Sequence, residues 1–181
     1  MKSILFKLKG NGCTVYKKGV KSPFLTRKLK TNRFFLLKLP FNNYTIEGCE
    51  IVMKKIVPQE APDLHLFLPP VERETKRKKY KLIYAPNHHS PASIGVEKGY
   101  IVYNKYFTTL PKAFQEFIMF HEKGHRHYET EKYCDLFASL KMLKKGFGKS
   151  VALQCLRFTL RNENKEKAER YNYVSKILKR I

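Results

Sequence analysis

Pro111-Lys-Ala-Phe-Gln-Glu-Phe-Ile-Met-Phe-His121-Glu-Lys-Gly-His125-Arg-His-Tyr-Glu-Thr130-Glu-Lys-Tyr-Cys-Asp135 is the stretch whose reading decides the fold. Phe114, Ile118, His121 and His125 recur at helical spacing, with Ala113, Phe117, Phe120 and Gly124 on the adjoining stripe. Pro111 suits the first position of that helix. His121 and His125, four residues apart, project one turn from each other and can hold a single metal ion between them. Glu122, next to the first of them, can reach a water on that ion and take its proton. Chance assembly of HExxH in a chain of this composition is expected in about one of a hundred such chains. Zinc is the expected ion, since it accepts imidazole and carboxylate ligands and leaves a position for water in catalytic sites.

A third ligand is sought among Glu129, Glu131, Asp135 and His127. If the helix ran on unbroken, Glu131 would point about 240° around the axis from His125, so the chain must turn between His125 and Thr130. Thr130 can then cap a second helix running to Lys145 and stopped by Gly146. Glu131 and Asp135 share one face of it. Glu131 is assigned as the third ligand, and Asp135 as the acceptor that orients a ligand imidazole through its other nitrogen.

These residues resemble a family. HExGH at 121–125 followed by Glu131-Lys-Tyr-Cys-Asp135-Leu-Phe-Ala138 is similar to the HExGH and ExxAD-x-FA pattern of the gluzincin metallopeptidases, especially their minimal members. The likeness covers residues 100–146, departing at Cys134, where the family has Ala, and in the short gap from His125 to Glu131. It implies zinc held by His121, His125 and Glu131, with Glu122 as general base in peptide hydrolysis. It also implies that the strand Tyr100 to Asn104 lies along the substrate, which makes Asn104 a substrate contact. The compact form of the pattern is similar, too, to small uncharacterised proteins of large tailed bacteriophages. That likeness implies a cytoplasmic location in a bacterial or phage-infected cell, or incorporation in a virion among virion proteins.

Outward from this centre, residues 1–60 read as a β-rich docking region, with strands at 3–8, 13–16, 33–39 and 44–53. Prolines 58, 62, 69 and 70 bracket Leu64 to Leu68 and mark a junction. Residues 61–149 form the expected zincin-like core, with a strand at 80–84 and a loop carrying His88 and His89. His88, His89, His127 and Tyr128 are candidates to face the substrate. Residues 150–181 read as a basic helical extension, with Ser150 capping one helix and a charged helix following Asn164. The fold class is therefore α+β. The run Gly146-Phe-Gly148-Lys149-Ser150 is no phosphate loop, because Leu143 stands where its first glycine belongs and a helix precedes it.

Composition narrows the partners. Of 181 residues, 43% are hydrophobic, enough for an ordinary core and too many for a disordered chain. Lys and Arg number 37 against 15 Asp and Glu, a net charge of +22 that draws the chain toward polyanions or an acidic assembly surface. Lys accounts for 28 of these and Arg, the better phosphate fork, for nine. The Lys-rich segments at 73–81 and 164–181 are the candidates for contact with nucleic acid or such a surface. Cys13, Cys49, Cys134 and Cys155 form no CxxC pair and read as free thiols. No apolar run approaches the length of a membrane span. Two functions follow as expectations: a zinc-dependent peptidase acting on peptide or protein substrates, or a basic structural component of a virion or nucleoprotein assembly with a retained or vestigial zinc site.

Overall fold

In the computed structural model, residues 2–58, 66–72, 80–161 and 164–181 are described. Residues 73–79 of the basic run expected at 73–81, and most of the proline-flanked junction, lie outside them. The chain is α+β, with two sheets and five helices among the described residues.

The first sheet is built from β1 (Lys2–Lys17), β2 (Leu25–Pro40), β3 (Tyr44–Glu47) and β4 (Glu50–Pro58). β1 pairs with β2 along one edge and with β3 and then β4 along the other, antiparallel throughout. Its curvature follows from the register. Pro40 lies opposite Ser3 while Tyr44, four residues on, lies opposite Lys17. Four residues reach at most ~14 Å, and two strand spacings add about 10 Å, whereas a straight β1 would separate Ser3 from Lys17 by ~46 Å. β1 therefore bends back on itself and coils the sheet. The bend sits at Gly10 to Gly12, where the register with β2 shifts and residues 29–32 of β2 leave the ladder. The same bulge switches the phase of alternation: Ile4, Phe6 and Leu8 are buried before it, Cys13 and Val15 after it. Both halves of the strand thus face one core.

β5 (Lys81–Tyr84), β6 (Ala92–Gly95) and β7 (Tyr100–Tyr103) form the second sheet in the order β5-β7-β6, with β5 parallel and β6 antiparallel to β7. After α1 (Lys105–Thr109), which Asn104 caps by accepting from the Phe107 amide, come α2 (Lys112–Gly124), α3 (Glu131–Lys144), α4 (Lys149–Thr159) and α5 (Lys165–Arg180). The expected turn after His125 is present, and Gly146, at φ +99°, closes α3 with its amide on the Leu143 carbonyl. Thr130 caps α3 as expected, though without a side-chain hydrogen bond, and two terminal assignments shift: Pro111 stands at the cap of α2 rather than inside it, and Gly148 takes the capping position expected of Ser150.

α3 is the central helix, with Cys134, Asp135, Leu136, Ala138, Ser139, Leu140, Met142 and Leu143 buried. The coiled sheet and the helices share one buried cluster. The Lys112 and Ala113 amides donate to Pro23 and Phe24, Gly148 N–H donates to the Lys38 carbonyl, and the Phe24 ring stacks on Phe147 at 5.5 Å. The described residues of 150–181, read from sequence as an extension, pack into this body: Val151, Ala152, Cys155 and Leu156 of α4 and Val174 and Leu178 of α5 are buried.

A methyl group at Gly12 would lie 2.1 Å from the Arg27 carbonyl oxygen, at φ +139°, whereas one at Gly19, φ +80°, would meet nothing within 4 Å. Gly12→Ala is expected to cost about 2–4 kcal/mol through strain and displaced backbone, and Gly19→Ala only about 1 kcal/mol. Urea denaturation followed by circular dichroism checks this, and equal losses would contradict the bend assigned to Gly12.

Candidate metal centre

The last turn of α2 and the first turns of α3 come into close contact. Gly124 makes it possible: a Cβ there would lie 3.0 Å from Cα of Cys134, so any larger residue pushes α3 away from the two histidines. The imidazoles of His121 and His125 stand 5.0 Å apart between ring centroids. Their Nε2 atoms face one carboxylate, His121 at 3.3 Å from Glu131 Oε2 and His125 at 3.4 Å from Glu131 Oε1. Ligand atoms of the three residues all lie within 4.8 Å of one another, a group that could hold a metal ion.

The opposite face of each ring is also held. His121 Nδ1 lies 2.9 Å from Oδ1 of Asp135, which is fully buried, so the acceptor expected from the sequence stands beside the first histidine. His125 Nδ1 lies 3.3 Å from Sγ of Cys134, and that thiol is directed at the Tyr128 carbonyl at 3.6 Å. Burial first, then Glu131, Asp135 and Glu122, push the Cys134 thiol up, keeping it a neutral S–H whose lone pair can accept from the imidazole. Both rings are thereby turned with Nε2 toward Glu131, and His121 donates to that carboxylate until loss of its proton leaves an Nε2 lone pair for an ion.

Arg170 of α5 completes the arrangement and was not signalled by any motif. Its Nε donates to Asp135 Oδ2 at 2.8 Å and its Nη2 lies 3.0 Å from Glu131 Oε2. One guanidinium thus clamps the carboxylates at both ends of the first turn of α3. The only clue in the sequence is an Arg within a helix rich in Lys.

Burial would depress the His121 imidazolium, but hydrogen bonds to Asp135 and Glu131 and the surrounding carboxylates overcome it and push the pKa up to about 10. Glu131 is held at about 2, mainly by its bond to His121 and against its own burial. Burial pushes Glu122 up to about 7, with Glu131 adding to the effect and His121 and the Ile94 backbone amide opposing it. The donor set fits a divalent cation: with both imidazoles neutral, as ligands must be, and Glu122 ionised, three carboxylates against one guanidinium leave an excess of two negative charges.

An open cleft of about 460 Å³ lies over the centre, bounded by His121, Glu122, His125 and Glu131 on one side and by Ala92, Ser93, Ile94 and His89 on the other. The strand beside the site is therefore β6. The strand at 100–103, expected along the substrate, is the middle strand of its sheet, with β5 and β6 occupying its two edges. A four-residue strand in a Pro- and Ser-rich stretch gives no alternation to read.

The other candidates divide. His89 reaches the cleft. His88 is turned to Ser93, with Nε2 2.7 Å from its Oγ, and pins the loop to β6. Asn104 is not free for substrate: its Oδ1 caps α1 and its Nδ2 donates to the His88 carbonyl at 2.9 Å. The Tyr128 side chain is buried, with its hydroxyl toward the Pro69 carbonyl, and does not line the cleft. His127 packs on Tyr128 and Phe137.

No protein family, curated protein or solved structure matches this chain.

Two outcomes are expected of the isolated protein. Asp135→Asn keeps the shape but weakens the grip on His121, lowering metal affinity by about 10- to 100-fold in chelator competition. Because His121 holds a proton up to about pH 10, a metal ion must displace it, so affinity rises as pH increases toward that value and falls in acid. Calorimetry at pH 7 in buffers of differing ionisation enthalpy should register about one proton released per ion. No release would show that His121 is already neutral.

Proposed function

We propose that this chain is a zinc-dependent peptidase with a zincin-like arrangement of sheet and active-site helix. The observation that carries the reading is the convergence of two imidazoles, a ligand carboxylate and a second, half-buried glutamate at the floor of an open cleft beside a sheet edge. His121, His125 and Glu131 would hold the ion, and this nitrogen and oxygen donor set with three protein ligands suits zinc with one position left for water. When bound, zinc supplies Lewis acidity that polarises the scissile carbonyl and acidifies water.

Everything else falls to the protein. β6 pairs only with β7 among the described residues, so its other edge can take an extended peptide as an added strand. Ile94 of that strand donates its amide to Glu122, which places the carboxylate against the bound main chain. Glu122 accepts a proton from the attacking water as the new C–O bond forms. It then delivers that proton to the amine nitrogen as the C–N bond breaks. A carboxylate raised toward neutrality by burial is matched to both tasks, ionised often enough to accept and acidic enough to return the proton. Asp135 and Arg170 do not meet the substrate in this scheme; they hold the His121 ring and the Glu131 carboxylate in place.

Glu122→Gln should leave zinc content unchanged and reduce casein hydrolysis by about 100- to 10,000-fold, while His121→Ala should lose both metal and activity. Zinc-loaded wild type that cleaves no peptide, or a Glu122→Gln variant as active as wild type, would overturn the reading.

A further inference from the structure

The positive charge has a second focus, away from the metal centre. A cleft of about 560 Å³ opens where the out-of-ladder stretch of β2 faces α4 and α5. β2 contributes Arg27, Lys28, Lys30 and Arg33 to it, and α4 contributes Arg157. Ser150, Leu153, Gln154 and Arg157 recur at helical spacing, so one whole face of α4 is turned to this cleft. Three of the nine arginines in the chain line it, and no described carboxylate does.

Such crowding of like charge is unfavourable without a counter-ion. Arg27 registers the strain: burial disfavours its charged form, Cys13 favours it, and the charge of Arg33 disfavours it further. Flat cationic surfaces are held ready as well. The Arg157 guanidinium lies 5.0 Å from the Tyr171 ring centroid, and that of Arg27 5.1 Å from Phe35. Stacking leaves guanidinium edges able to make bidentate contact with phosphate oxygens, with Nη1 of Arg27 also donating to the Leu36 carbonyl at 3.5 Å, and the Arg157–Tyr171 pair offers a face on which a base can stack. A concave site favours a threaded strand over a planar lipid surface.

We infer that this cleft binds the phosphodiester backbone of single-stranded nucleic acid, as a site separate from the metal centre. The two share no lining residue. Neither site depends on the other chemically, so loss of metal leaves this one intact.

The test is fluorescence anisotropy with a labelled oligodeoxythymidylate and the full chain, over a salt series. Lys30→Glu with Arg33→Glu changes two exposed residues of the cleft. Lys81→Glu with Lys105→Glu makes the same charge change on exposed residues of β5 and α1. The cleft variant should bind at least about tenfold more weakly at ~100 mM salt, with its log–log salt slope smaller by about 0.7 for each phosphate it no longer neutralises. The control should stay within about threefold of wild type, and circular dichroism confirms that both variants fold. Equal weakening in both variants, no saturable binding by wild type, or poly-glutamate or anionic vesicles bound as well as the oligonucleotide through the same residues would each overturn the inference.

Discussion

Asp135 is a fully buried carboxylate, and the helical half of the molecule is arranged around keeping it satisfied. A buried charge with one partner removed typically costs about 3–5 kcal/mol, so its neighbours are not interchangeable. His121 comes to it from α2 and Arg170 from α5, which ties three helices at one point. The same guanidinium reaches Glu131, one turn earlier on α3, and Glu131 faces both histidines. Fixing Asp135 therefore fixes the rotation of α3, and that rotation aims Glu131 at His121 and His125. Gly124 is the steric condition for the arrangement, since only a residue without Cβ lets α2 and α3 come this close.

The coiled sheet is the frame against which these helices are held. Bending at Gly10 to Gly12 gathers Ile4, Phe6, Leu8 and Val15 onto one concave face, and the helices fill it through Phe147 and their neighbours. Backbone hydrogen bonds from α2 to the β1–β2 connection and from Gly148 to β2 seal both ends. Residues 2–58 consequently do more than a separate docking region would. They form one wall of the core that supports α2 and α3.

The sequence was most informative where one element determines its own geometry. The helix over 112–124, the turn forced between His125 and Thr130, and the pairing of Asp135 with a ligand ring all follow from 3.6-residue periodicity and the reach of side chains. Contributions from distant chain segments could not be read in that way. Arg170 lies 35 residues beyond Asp135 in a helix whose other cations are mostly exposed, and nothing local distinguishes it. β6 lies in a Pro- and Ser-rich stretch that gave no pattern to read, and the resemblance pointed to the strand at 100–103 instead, whereas it is β6 that borders the cleft. The first half of β2, with Arg27, Lys28 and Lys30 among its residues, lacks an apolar face to reveal it, because the bulge lifts part of it off the sheet. Asn104, proposed through the resemblance, and Tyr128, proposed as a polar neighbour of the motif, have partners in the α1 amide and Pro69 that become visible only in three dimensions.

The partition of charge explains why a chain of +22 can carry an anionic centre at all. Long-range repulsion among lysines at the surface is screened within about 10 Å in ordinary salt, so the interior responds chiefly to its immediate neighbours. At the candidate metal centre those neighbours are Glu122, Glu131 and Asp135, set against Arg170 and the His121 ring. At the β2–α4 cleft five cations converge without an acid among the described residues. Arg170 and Tyr171, adjacent on α5 and about 100° apart around its axis, face the two places in turn. One helix thus forms part of both walls, and the same backbone that positions the acidic centre also separates it from the basic surface.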